Sequence, residues 1–420
     1  MSISARTAWY RLRRTSSDQW LFLAFVALFF CMPMGTSPPT ICAALVTIIW
    51  VFSGRVLKIW DTFLKRKWSW PVLLLIMLPW IGLLYTPDVE GLGIKFAEKT
   101  HYWIYCAAAS SMVFEDSSPQ RFIQAFLGGL AINAIIGIMQ FMGLFPVMNE
   151  ISFGLGLGYN TLSGYLILGM LMSSYYFREA NERGYRWFFG LLSLLYFIHL
   201  IILQGRAGYL TFLFLCPIMA YNLLKGAGIY RICLVSLLLV GSMLLSPVVR
   251  DRIALSIDQV KYHLQADPDS AWGREYTVHQ DRFYMWRGAG RIFLEHPVLG
   301  VGTGGYQMVL KKMGKPQWPA IAHPHNNILY MAVSFGLVGV FAILWFFWEI
   351  MKNAFHERKT PLGFFILSTT LVMFFGGLVN TYIKDAGTLL LLAVVTGLQN
   401  GLGEGDPGGP HLRRIRPEGW

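Results

Sequence analysis

The segment AHPHNNILYMAVSFGLVG, residues 322–339, sets two histidines and two asparagines directly before an apolar run. A helix starting near Asn326, with Pro324 just before it and Asn326 as its cap, would hold His325 at the positive end of the helix dipole. That position disfavours the imidazolium and attracts anions such as phosphate. A neutral imidazole beside a bound phosphate can act as a general base. The same residue could equally be an interfacial histidine bonded to backbone or to a lipid headgroup. His325 and Gly336 are about three turns apart, so a continuous helix would carry both on nearly one face, with Gly339 close by. Small residues let helices approach closely, whether at a site or in ordinary packing. His323, before Pro324, has no comparable support.

Arginines supply the second set of candidates. LQGRAGYL puts Arg206 in a short turn between apolar spans, either as a functional charge or as a snorkelling helix anchor. In DRFYMWRGAGRIFLEHP, Arg282, Trp286, Ala289 and Phe293 share a helical stripe, while Arg287 and Arg291 fall on another. Arg282 is then a charge on an apolar stripe and needs a buried anionic partner. Arg287 and Arg291 read as a solvated face or as headgroup contacts. An arginine fork matches a pyrophosphate in a way that a lysine point charge does not. Asp267 and Asp269 in ADPDS either coordinate a divalent metal or mark a surface turn. Asp385 in TYIKDAG could orient a histidine or pair with Lys384. The glycines of LGVGTGGYQ lack the context of a nucleotide-phosphate loop and are expected to form a tight turn.

The elements that must position these residues are apolar. Of 420 residues, 55% are hydrophobic and 14% charged, and the mean hydropathy is +0.48. This balance excludes an ordinary soluble domain and indicates an all-α polytopic integral membrane protein with about twelve spans of roughly 20 residues each. The first apolar run, near Gln19, follows a basic segment as a signal peptide would, but the many later spans favour a retained helix. Basic residues cluster on alternate connections, among them Arg55, Lys58, Lys65, Arg183, Arg186, Lys352 and Arg358, which puts both termini in the cytoplasm by the positive-inside rule. The net charge of +12 therefore reflects topology and membrane lipid, not nucleic acid.

The expected organisation is a bundle of nine helices over 1–246, a long helical periplasmic loop over 247–325 before the tenth helix, helices ten to twelve over 326–400, and a disordered cytoplasmic tail over 401–420. The five cysteines fall inside expected spans and read as packing residues rather than a disulfide framework. No repeat and no paired interrupted helices of the kind seen in many transporters are evident.

Taken together, these segments resemble the O-antigen ligase and polymerase superfamily of bacterial envelope polysaccharide enzymes. HNNILYMAVSFGLVG is similar to the ligase motif, which His325, Asn326, Gly336 and Gly339 fill. LQGRAGYL resembles the family's arginine-bearing turn, and DRFYMWRGAGRIFLEHPVLGVGTGGY its arginine-to-tryptophan helix with the turn that follows. GLGYNTLSGYLILG resembles the segment around the family's asparagine, here Asn160.

The resemblance implies a glycosyltransferase of the bacterial inner membrane with a periplasmic active site. Its donor would be an undecaprenyl-diphosphate-linked O-antigen, with no metal, nucleotide or other cofactor, and its acceptor a lipid A-core hydroxyl. His325 would be the base, and Arg206 and Arg282 would stabilise the leaving pyrophosphate. Asn326, Arg287, Arg291, Asn160 and Asp385 are expected to bind donor or support the motif. A polymerase or a protein O-oligosaccharyltransferase of the same superfamily is the alternative. A lipid-linked oligosaccharide flippase is the rival from another class, and it would hold its charges near the bilayer middle.

Overall fold

The computed structural model describes residues 3–112, 118–147, 152–265, 282–313 and 321–402, with side chains omitted at 3–16, 118 and 262–265. The described residues are all-helical and contain no strand. The helices are α1 (Ile3–Cys31), α2 (Ser37–Phe52), α3 (Ser69–Gly82), α4 (Ile94–Ala97), α5 (Ile104–Ser110), α6 (Ser118–Phe141), α7 (Tyr159–Glu179) and α8 (Arg183–Ile202). They continue with α9 (Arg206–Leu223), α10 (Ile229–Met243), α11 (Pro247–Gln265), α12 (Arg282–Glu295), α13 (Gly305–Met313), α14 (Asn327–His356), α15 (Pro361–Gly377) and α16 (Ala386–Gly397). Helix α7 is the axis of the bundle. It packs against α8, α9 and α15, and every residue from Thr161 to Tyr175 is buried. Two of its serines are satisfied locally, Ser163 donating to Asn160 O and Ser174 to Leu171 O.

The outer surface is apolar. Leu237, Phe341 and Trp348 are each 60% exposed or more, an arrangement that suits hydrocarbon rather than water. Three helices, Pro119–Phe141, Arg183–Ile202 and Asn327–His356, are long and apolar enough to cross a membrane, or five spans if two bent pairs each count as one. This is fewer than the twelve expected from hydropathy. Several apolar runs fold as shorter pieces, such as Ser17–Cys31, Ser69–Gly82 and Pro361–Gly377. One of them, α3, carries Pro79 in its interior. Cys106 and Cys216 are buried, as packing residues should be, but Cys233 is exposed on α10.

Two bends build the upper face. Between α10 and the stretch Pro247–Lys261 the chain turns by 92°, so α11 lies across the bundle end, with Pro247 fitting its first turn. The second is a break inside α14, where Gly336 adopts φ 61°, ψ −148°. The glycine-rich turn after α12 occupies that break. Val301 N–H donates to Val333 O at 2.8 Å, Gly302 N–H to Ser334 O at 2.9 Å, and Leu337 N–H to Pro297 O at 2.8 Å. Thr303 on the same turn donates through its hydroxyl to Pro79 O at 2.6 Å and through its N–H to Gly82 O at 3.3 Å, filling orphan carbonyls at the end of α3. Around this joint a second core gathers Met285, Ala289, Ile292, Val301, Tyr306 and Val333.

The expectation that Gly336 and His325 share one face of a continuous helix is therefore corrected. Gly336 is needed because a Cβ there would lie 2.2 Å from Val298 C and O, and its positive φ suits glycine. Gly339 serves the same break, since its Cβ would meet Met331 O at 2.4 Å across the kink. The tight turn expected of LGVGTGGYQ is present, with Gly300, Gly302 and Gly304 at φ 67°, 81° and 78°. Gly336→Ala should destabilise the protein by more than the ~1–2 kcal/mol of the left-handed backbone alone. Gly241→Ala, whose Cβ meets nothing within 4 Å, should leave the thermal midpoint in detergent unchanged or raised.

Candidate functional site

His325 stands just ahead of α14, and it is the residue other than glycine with positive φ, 50°, among those described. Asn326 caps the helix as expected. Its Oδ1 accepts from Leu329 N–H at 2.9 Å and its Nδ2 donates to Leu378 O at 2.7 Å. Both ends of that side chain are thus engaged in holding the start of α14 to the end of α15. Asn327, which sequence reasoning passed over, is 2% exposed and ties α14 to the far side of the site, its Oδ1 accepting from Ile383 N–H at 3.2 Å.

The ring of His325 is oriented by a residue that sequence reasoning missed. Its Nδ1 lies 3.2 Å from Asn380 Oδ1. An amide oxygen can only accept, so this contact fixes the proton on Nδ1 and leaves the Nε2 lone pair able to take another. The imidazole is pushed down to about 4, by burial first and then by the Arg282 charge, against a smaller opposing effect of the Asn380 bond. It is therefore neutral at ordinary pH. The only sequence signal for Asn380 was a polar residue ending the apolar α15.

Arg282 is the first described residue of α12, and its Nη1 donates to His325 O at 3.3 Å. Burial and, next, the charge of Arg206 lower it to about 10, with Tyr159 and Tyr382 opposing. It stays cationic, and among the described residues no carboxylate forms an ion pair with it. The buried face of α12 is centred on Met285, Gly288, Ala289 and Ile292. This shifts the expected stripe by about one residue, leaving Arg282 and Trp286 at its edge, where Trp286 Nε1 donates to Pro324 O at 3.0 Å. Arg287 and Arg291 are exposed on the outer side of α12.

Arg206 opens α9, and its Nη1 donates to Gln259 Oε1 at 2.7 Å and to Ser256 Oγ at 3.2 Å, both on α11. Asn160, in the first turn of α7, is drawn to the site through Tyr382, whose hydroxyl donates to Asn160 O at 3.0 Å. Its own Oδ1 is buried without a hydrogen-bond partner. Asp385 neither orients a histidine nor pairs with Lys384. Its Oδ1 accepts from Gly387 and Thr388 N–H and so caps α16. Asp267 and Asp269 lie outside the described residues.

His323, for which the motif segments held no support, also joins the site. Its ring centroid is 4.3 Å from that of His325. Burial, followed by Lys384, His325 and Lys99, pushes it down to about 2. The groups so assembled are two arginines, two adjacent neutral imidazoles and two lysines at the helix ends.

Comparison with known proteins bears on this stretch of chain. Residues 191–344 match the O-antigen ligase family model. The match runs from α8 into α14 and contains Arg206, Arg282, His325, Asn326, Gly336 and Gly339, so the resemblance read from the motif segments is shown for that region. The O-antigen ligase match covers less than half of the chain and leaves Asn160, Asn380, Lys384 and Asp385 outside it. A protein of Rickettsia conorii named "Putative polysaccharide ligase" is 26% identical over 127 residues, covering 29% of this chain and 28% of that protein. The shared stretch thus spans little more than a quarter of the relative's length.

Both histidines bind protons more weakly folded than unfolded, so stability should be full above about pH 6.5 and fall as the pH drops toward 4 and below. Detergent-solubilised protein should show a denaturation midpoint that declines over this range, and a His323→Gln, His325→Gln double variant should flatten the decline.

Proposed function

We propose that the protein is an O-antigen ligase of the bacterial inner membrane, with both termini cytoplasmic and the site on the periplasmic side. It would move O-polysaccharide from undecaprenyl diphosphate to a lipid A-core hydroxyl by a metal-independent, inverting displacement. The observation that carries this reading is the contact series Asn380–His325–Arg282, a neutral imidazole with its Nδ1 proton fixed beside a buried guanidinium that has no ion-paired carboxylate among the described residues. The family match over residues 191–344 supports the same class of enzyme.

In this mechanism the acceptor hydroxyl gives its proton to His325 Nε2 while its oxygen forms the new bond to the anomeric carbon. The bond from that carbon to the diphosphate oxygen breaks on the opposite face, and the electron pair leaves with the lipid diphosphate. Arg282 and Arg206 stabilise the charge that develops there, at helix N-termini that favour anions. The proton on His325 then passes to solvent or to the leaving group. The candidate charges stand at helix ends and not at mid-span, which favours a transferase over a flippase. Polymerase and protein O-oligosaccharyltransferase chemistry would use the same groups with another acceptor.

The test is transfer from lipid-linked O-polysaccharide to rough lipopolysaccharide by purified protein in chelator. His325→Ala should lower the rate by about 10²–10⁴-fold, and Arg206→Ala or Arg282→Ala by about 10²–10³-fold, each in a folded protein. Full activity of His325→Ala would remove the base, and full activity of the lysine variants would remove the bidentate argument. With the base neutral above about pH 4, kcat in wild type should show no acid limb near 6.5. Asn380→Asp should move that limb upward, a change that a purely structural role would not produce.

A further inference from the structure

Arg282 contacts His325, and a second cleft, lined by two lysines, opens beside the first turn of α14. Lys384, in the turn Tyr382–Lys384 between α15 and α16, is 6% exposed. Its Nζ is buried without a hydrogen-bond partner and sits over the rings of Phe96 and Tyr330. Lys99 Nζ donates to Lys384 O at 2.5 Å. Both lysines line one cleft with Phe96, Thr100, Trp103 and Tyr330. The neighbouring carboxylate, Asp385, is turned into the start of α16, and among the described residues no ion pair involves either lysine. The cleft lies beside the site: Tyr330 and Met331, in the first turns of α14, line it, and Lys384 is the strongest charge on His323, whose ring centroid is 4.3 Å from that of His325.

A buried, unpaired amine against aromatic walls is costly unless a ligand completes it. Burial and Lys99 hold Lys384 well below its usual value, and an anion in the cleft would favour its charged form. Displacement at an anomeric carbon requires nucleophile and leaving group on opposite faces. With the diphosphate held by the arginines, the lysine cleft is left for the acceptor.

We propose that this cleft is the acceptor subsite, and that Lys99 and Lys384 hold a phosphate or carboxylate of an anionic glycolipid acceptor whose apolar part lies along Phe96, Trp103 and Tyr330. This rests on the transferase reading, because the place left for the acceptor follows from the displacement.

The full-length protein in zwitterionic nanodiscs would be titrated with diphosphorylated lipid A, dephosphorylated lipid A, phosphatidylglycerol and undecaprenyl phosphate. Diphosphorylated lipid A should bind wild type at least 10-fold more tightly than it binds Lys384→Met or Lys99→Met, and removing its phosphates should cost wild type a similar factor. His325→Ala should bind it as wild type does. Lys99 is only partly buried, so Lys99→Met keeps the test decisive where Lys384→Met fails to fold. Equal binding by the lysine variants, an equal loss for phosphatidylglycerol, or a loss confined to undecaprenyl phosphate would overturn the proposal. If wild type shows the expected binding pattern but transfers no polysaccharide, the ligase reading fails while the subsite stands.

Discussion

The site depends on a helix that is not allowed to continue. The carbonyls of Val333 and Ser334 on α14 accept from Val301 and Gly302 N–H, and Leu337 N–H donates to Pro297 O. At its break α14 is therefore fastened to the turn that follows α12, and not only to the rest of its own helix. Arg282 at the head of α12 and His325 at the head of α14 are held together by this joint, whose residues also cap α3. Without a glycine at 336 the joint could not close, because the approaching backbone occupies the space a Cβ would need.

Electrostatics follow from that closure. Two helix N-termini, two guanidiniums and two lysines converge where little water reaches, and the response is different for each group. Arginine keeps its charge because its ordinary value lies far above neutrality, whereas the imidazoles lose theirs because 6.5 is close to it. The same burial therefore yields permanent cations beside neutral bases, with no need for a carboxylate to hold the histidine.

Much of this was legible in the sequence, and the parts that were not have definite causes. Asn326 as a cap, His325 at a helix mouth and the tight turn at Gly300–Gly304 follow from local rules that act within a few residues. The break at Gly336 was read as helix packing, because a glycine that admits a neighbouring helix and one that admits a neighbouring loop look alike in one dimension. Asn380, His323 and Lys384 were missed because their importance comes from neighbours distant in sequence. Asp385 was read as a partner of Lys384, yet the open N–H groups of α16 lie nearer than the amine. Helix count suffered differently: hydropathy marks apolar length and is blind to the points at which proline, glycine and bends divide it.

His325 has a left-handed backbone that a histidine does not prefer. Asparagine and glycine occupy that conformation at lower cost. Replacement by either would relieve the backbone and remove the imidazole, so a variant with the histidine lost can fold better than the parent. In the proposed mechanism that backbone cost is borne for the imidazole, which asparagine and glycine lack.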